Sequence, residues 1–215
     1  HPSLNFIFSV LTTALIINAY NLIDGINGLS GSLTIMSSLI FGFFFLQYNM
    51  TDWAFMAFAL SAATFGFLQF NFGNASIFMG DNGSTFIGLI QAIFFYQLLH
   101  IDYPATNIFP IALSLISIPV FDLLRVFCFR ITQKRGPFSP DRSHIHHILL
   151  RVFDKAETVV FSVLALNLLL ITVATTFSSL MPALLSVCLS VVLIWGFPLA
   201  GKKIKLQLEI NSQSQ

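Results

Sequence analysis

The 215-residue chain is 56% hydrophobic and only 9% charged, with 25 phenylalanines and a formal net charge of +1. Ordinary soluble domains carry about 25% charged residues, so this composition excludes that class, and the near-neutral balance gives no support for a nucleic-acid partner. What remains is an all-α, polytopic transmembrane helix bundle set among membrane lipids.

A membrane-crossing helix needs about 20 largely apolar residues. In chain order, seven stretches approach that length: 4–23, 32–49, 53–71, 84–101, 107–127, 158–178 and 180–200. Turn formers separate them, namely Gly25 and Gly28, Asn49 with Asp52, Gly73 with Asn74, Pro104 and Pro182. Residues 1–201 therefore read as one membrane-embedded unit that includes a loop at 128–157, and 202–215 as a short polar tail. Cys128 and Cys188 lie in or beside apolar runs without metal-site spacing and read as buried free thiols. The chain begins with His1 and enters an apolar run almost at once, the pattern expected of a fragment lacking an N-terminal part.

Orientation follows from the basic residues. All ten Lys and Arg lie at or after Arg125, in one cluster from Arg125 to Lys155 and another at Lys202, Lys203 and Lys205. The positive-inside rule places both clusters in the cytoplasm. Counting spans backwards puts 72–83 and 24–31 on that side too, which gathers three polar stretches on one face.

The first is "NAYNLIDGINGLSG" at 18–31. Asn18, Asn21 and Asp24 are spaced to share a helical face at the end of a span. Polar groups at membrane depth are costly and suggest function, although asparagines that only bridge helices read the same way. The second, "FMGDNGST" at 78–85, places Asp81 where an apolar helix begins. It suits first an N-cap aspartate, with Ser84 and Thr85 also able to cap, and second a carboxylate that holds Mg²⁺ beside a phosphate.

The third is "PFSPDRSHIHHILLR" at 137–151. Clustered histidines suit zinc, but no cysteine is near and the flanking arginines repel a cation. The fork of Arg142 fits a phosphate, and the histidines fit a diphosphate, sugar hydroxyls or proton transfer near neutral pH. A solvated basic loop is the plain alternative. Asp122, with Arg125 three residues on, reads as a local ion pair that also lies near the expected site. His100 reads as interfacial.

Together these stretches, with the longer form "FNFGNASIFMGDNGSTFIG", resemble the polyprenyl-phosphate N-acetylhexosamine-1-phosphate transferase family. The match runs from about Asn18 to Arg151, and "PFSPDRSHIHH" is most similar to the bacterial branch that uses UDP-N-acetylglucosamine and undecaprenyl phosphate. The resemblance implies an Mg²⁺-dependent enzyme, with Mn²⁺ as a possible substitute, that transfers GlcNAc-1-phosphate from UDP-GlcNAc to undecaprenyl phosphate. It implies a multi-pass protein of the bacterial inner membrane with a cytoplasmic site that starts cell-envelope glycans such as lipopolysaccharide; a homodimer suits a polytopic enzyme, with no residue that marks it. By motif position it makes Asp24 and Asp81 catalytic, with Asp81 the metal ligand. Asn21, Asn71, Phe78, Arg142, His144, His146 and His147 would bind substrate, Phe78 by stacking on uracil.

This chain departs from the family in two ways. The family's Asp-Asp pair is absent and fewer spans are counted, both as expected of a fragment whose activity needs the missing part. Asn27 also stands where many members have Asp. The competing readings are a catalytically incomplete family remnant and a transporter whose ion path runs over Asp24, Asp81 and Asp122.

Overall fold

The computed structural model describes residues 2–101, 108–132, 134, 136, 144, 148–150, 153 and 155–176. The regular elements among them are helices: α1 (Pro2–Ile23), α2 (Leu29–Gln47), α3 (Thr51–Asn71), α4 (Gly80–Leu99), α5 (Ile108–Leu115), α6 (Ser117–Thr132) and α7 (Ala156–Thr176). Four of them, Leu4–Ile23 in α1 together with α2, α3 and α7, are long and apolar enough to cross a membrane. The α5–α6 pair counts as a fifth span only if taken together across a 75° bend.

The expected seven stretches differ from the observed helices at two places. Stretch 84–101 does form a helix, but α4 falls short of the apolarity of a span because Asn82, Gln91 and Gln97 dilute it. Stretch 107–127 is not one straight helix. Pro119 has no N–H to offer the carbonyl of Leu115, and the chain breaks at Ile116. The Ser117 hydroxyl lies within reach of both Ser114 O (2.9 Å) and Asn167 Oδ1 (3.1 Å), tying the break to α7. The stretch at 180–200, the tail at 202–215 and Cys188 lie outside the described residues. Cys128 is exposed on α6 rather than buried.

Two antiparallel pairs build the bundle. α2 and α3 close as a hairpin through Asn49, which takes a left-handed φ of 59° that asparagine tolerates. α1 and α4 pair along their lengths, from Asn21 beside Ser84 to Tyr96, whose hydroxyl donates to Ser9 O (3.0 Å). The core holds Tyr20, Phe41, Phe45, Phe94 and Leu98, all fully buried, and is stitched by polar contacts. Gln91 Oε1 accepts from Ser37 Oγ (3.1 Å) and Gln91 Nε2 donates to Ser38 Oγ (2.8 Å). Such interhelical bonds contribute about 0.6 kcal/mol each within a membrane. The many exposed phenylalanines, Phe6, Phe8, Phe43 and Phe55 among them, suit contact with lipid.

Candidate active site

The site forms at the bundle end where α1 and α3 finish and α2 and α4 start. The α1–α4 pairing sets it. Gly88 of α4 lies so close to α1 that an added Cβ would sit 2.7 Å from Ile17 Cα and 3.1 Å from Ile17 O. At that spacing Asn21 reaches the first turn of α4. Its Nδ2 donates to Asp81 Oδ1 (3.2 Å) and to Ser84 Oγ (2.9 Å), joining motifs 60 residues apart.

Asp81 is therefore not a capping residue. Met79 is the N-cap, with no side-chain cap bond, and Asp81 is the second residue of α4. Ser84 and Thr85 also do not cap; their hydroxyls bond back to the carbonyls of Gly80 and Asp81. A carboxylate in this first turn gains from the positive end of the helix dipole. The side chain is exposed and open to a ligand.

Asp24 lies in the turn just past α1, half-buried. The expected face of Asn18, Asn21 and Asp24 is thus cut short at Ile23, and Asn18 is exposed. The Asp24 carboxyl has its pKa pushed up to about 6, first by burial and then by the negative charge of Asp81. Among the described residues, neither carboxylate has a cationic partner. Two carboxylates close enough to repel, one of them open, suit a divalent cation; Mg²⁺ needs only one or two. Among the described residues, no three His, Cys, Asp or Glu side chains converge on one point.

Three side-chain bonds lock the turns around this pair. Gly28 takes φ +83°, and a Cβ there would meet Phe72 Cδ2 at 2.6 Å, so only glycine fits. Its N–H donates to Asn71 Oδ1 (2.8 Å), while Asn71 Nδ2 donates to Ile77 O (2.9 Å). Asn71 is buried and uses both ends of its amide on backbone. Asn27 Nδ2 donates to Gly73 O (2.9 Å). Beside Asp81, Phe78 is 74% exposed and presents an aromatic face to solvent.

The Asn27 bond explains the residue that departs from the family pattern. An ionised aspartate cannot donate to a carbonyl. Asn27→Asp is expected to destabilise the fold by about 1–3 kcal/mol through the unmatched carbonyl, seen as a lower midpoint of thermal unfolding. An unchanged midpoint would show that the bond does not hold the two turns together.

Of the third stretch, Arg142, His146 and His147 lie outside the described residues. His144 is described and is 5% exposed. Its Nδ1 lies 2.9 Å from Asp122 Oδ2, and Asp122 Oδ1 accepts from Arg125 Nη2 (2.8 Å) and Nε (3.3 Å). The Asp122–Arg125 ion pair matches the sequence reading. The arrival of His144, 22 residues away, was not legible there. Leu149 and Leu150 pack in the same apolar cluster as Phe121, Ile23 and Leu29, which brings this stretch back beside the Asp24 turn. Glu157, at the start of α7, stands close to Gly73.

Comparison with known proteins agrees with the motifs. Residues 1–99 match the family described as glycosyl transferase family 4. The undecaprenyl-phosphate alpha-N-acetylglucosaminyl 1-phosphate transferase of Escherichia coli (strain K12) is 37% identical over 160 residues, 71% of this chain and 43% of that protein. The Yersinia pestis protein of the same name is 35% identical over 159 residues, with the same coverage. A probable undecaprenyl-phosphate N-acetylglucosaminyl 1-phosphate transferase of Bacillus subtilis (strain 168) is 36% identical over 144 residues, 66% of this chain and 39% of its own length. The chain thus spans less than half the length of these relatives. Asn21, Asp24 and Asp81 thus lie inside the segment, residues 1–99, that matches glycosyl transferase family 4.

Proposed function

We propose that this protein transfers a sugar-1-phosphate, GlcNAc-1-phosphate foremost, from a UDP-sugar to undecaprenyl phosphate at the cytoplasmic face of a bacterial inner membrane. An oxygen of the lipid phosphate attacks the β-phosphorus of the UDP-sugar. The bond from that phosphorus to the bridging oxygen breaks, UMP leaves, and the sugar stays on a polyprenyl diphosphate. The observation that carries this reading is the contact of Asn21 with Asp81 and Ser84, which sets the Asp24 and Asp81 carboxylates near one another.

Each residue has a role. Asp81, with Asp24 beside it, would hold Mg²⁺, or Mn²⁺ in its place, whose charge offsets that of the diphosphate. Asn21 orients Asp81 by its hydrogen bond. Phe78 offers a ring for the uracil to stack on. Asn71 acts by bracing the turns that carry these groups. Arg142, His146 and His147 bind the diphosphate and sugar by their match to the family motif. The basic residues after Arg125 support the cytoplasmic orientation.

The test is release of UMP from UDP-GlcNAc by purified protein with undecaprenyl phosphate and Mg²⁺. It is run on this chain and on a longer form extended upstream. UMP is expected in equal amount with a lipid-linked GlcNAc diphosphate. No release from either folded form, with any UDP-N-acetylhexosamine, would reject the reading.

Asp24 gives a pH signature that does not depend on turnover. Its raised pKa means that it is mostly protonated below about pH 6 and charged above it. Carbon-13 NMR of the aspartate carboxyls should show this midpoint near 6 without metal. Because the Asp81 charge is the second cause of the rise, Asp81→Asn should move the midpoint lower. An unmoved midpoint would separate the two carboxylates.

A further inference from the structure

We propose that Ser84 is a positioning residue: its hydroxyl oxygen holds one hydrogen of the Asn21 amide so that the other is aimed at Asp81 Oδ1, which leaves Oδ2 of that carboxylate to face a divalent cation. The metal role rests on the function proposed above; the hold on the amide does not.

By spacing Ser84 reads as a capping residue, and the structure gives it no cap to make. It lies one turn into α4 and is 1% exposed, whereas Asp81, three residues earlier, is exposed. Ser84 and Gly88 are four residues apart and share the face of α4 that meets α1. The close approach at Gly88 therefore brings the Ser84 hydroxyl against the last turn of α1, where Asn21 stands.

A hydroxyl carries one hydrogen. The Ser84 oxygen lies 3.0 Å from Gly80 O and 3.3 Å from Asp81 O, both carbonyls of its own helix, so that hydrogen stays on α4. The oxygen can still accept, and a buried oxygen calls for a donor. Asn21 Nδ2 supplies it at 2.9 Å. Nδ2 carries two hydrogens, and its second acceptor is Asp81 Oδ1 at 3.2 Å. The amide carbonyl could answer neither oxygen, because a carboxylate has no hydrogen to give and that of Ser84 is engaged. The amide thus meets α4 with its NH₂.

The two bonds are unequal. The bond to Ser84 is shorter and partly buried, while the bond to Asp81 is longer and exposed, where water competes for the carboxylate. The first fixes the plane of the amide, and the second follows from it. Among the described residues Asp81 has no hydrogen-bond partner other than Asn21. Oδ1 is taken and Oδ2 is open. Mg²⁺ is held by one or two carboxylates and completes its shell with waters and phosphate oxygens. One oriented oxygen of Asp81 therefore suffices on this side of the ion.

Ser84→Ala removes one oxygen from a helix position that alanine suits. Thr85→Val is the control, since the Thr85 hydroxyl also bonds back to carbonyls of the first turn, those of Asp81 and Asn82, and not to Asn21. Purified protein in detergent carries nitrogen-15 asparagine, with the Asn21 side-chain signal assigned by its loss in Asn21→Ala. In Ser84→Ala both Nδ2 proton signals should move, the one facing Ser84 and the one facing Asp81. In Thr85→Val neither should. Binding of Mn²⁺ alone is followed by electron paramagnetic resonance of the free ion. Ser84→Ala should weaken it about tenfold, the worth of one hydrogen bond. Thr85→Val should not change it, and Ser84→Ala added to Asp81→Asn should bring no further loss.

Movement of only the proton that faced Ser84 would show that Asp81 holds the amide unaided, and would overturn the proposal. So would equal weakening in Thr85→Val or a further loss in the double variant. Mn²⁺ bound equally by wild type and Ser84→Ala would also overturn it and leave the transferase reading standing. If Ser84→Ala does not fold, Ser84→Cys keeps the side chain with a weaker acceptor and should weaken Mn²⁺ in the same direction; unchanged affinity there would count against the proposal. Wild-type protein that binds no Mn²⁺ would overturn the metal role together with the metal site proposed above. The two amide signals would then decide the hold of Ser84 by themselves.

Discussion

Asp81→Asn is expected to lower Mg²⁺-dependent UMP release by about 10²- to 10³-fold, the scale for removing one electrostatic group from a transfer site. The change should leave the fold intact. Asparagine keeps the shape of aspartate and an oxygen that still accepts from Asn21 Nδ2. The first turn of α4 is not capped by Asp81, so no cap is lost. What disappears is a negative charge at an exposed position facing a second carboxylate. The measurement is turnover across a range of Mg²⁺ concentrations beside a thermal unfolding curve. Near-normal turnover with saturating Mg²⁺ would take Asp81 out of the metal site; lost turnover with a lowered unfolding midpoint would make it structural.

Gly88→Ala should be the most damaging change away from the polar residues. The new methyl would lie 2.7 Å from Ile17 Cα and 3.1 Å from its carbonyl oxygen. Those are main-chain atoms of a helix and cannot swing aside as a side chain would. Overpacking of this kind costs about 1–3 kcal/mol. It also pushes α1 from α4, one turn from where Asn21 holds Asp81 and Ser84. Activity should therefore fall more than the fraction of unfolded protein explains. Gly66→Ala is the control, because nothing lies within 4 Å of the position its Cβ would take. Equal behaviour of the two variants would show that the close approach of α1 and α4 does not position the site.

The sequence made the outline of this site legible, and the physics explains where legibility stopped. Apolar length alone marked α1, α2, α3 and α7 as candidate spans. It does not mark α4 as strongly, because a helix covered by its neighbours tolerates glutamine when serines answer it, as Ser37 and Ser38 answer Gln91. It misjudged 107–127, because composition does not register that one missing N–H at Pro119 divides an apolar run. The orientation rule brought the first two polar stretches to one end, and the contacts of Asn21 and Asn27 place them there.

Finer assignments depended on partners that no spacing displays. Asp81 read locally as a cap before anything else, and the N-cap is Met79. Asn71 carried no local hint that both ends of its amide meet backbone in separate turns. Asp122 in an apolar run with one nearby arginine was a visible sign of a buried charge. The imidazole that completes it comes from beyond the next turn of the chain.

The pairing of α1 with α4 also bears on how the protein is made. The α2–α3 hairpin can zip shut as soon as it emerges, since Gly31 packs on Leu68 and Gly42 on Phe58 within it. α1 must wait for a partner that leaves the ribosome after that hairpin, Asp81 following Asn21 by 60 residues. During that interval the polar end of α1 stands beside the hairpin without its match. The Asp24 and Asp81 carboxylates thus come together only when α4 arrives. A nascent chain stopped before Gly80 would hold α1 and the α2–α3 hairpin without the carboxylate of Asp81.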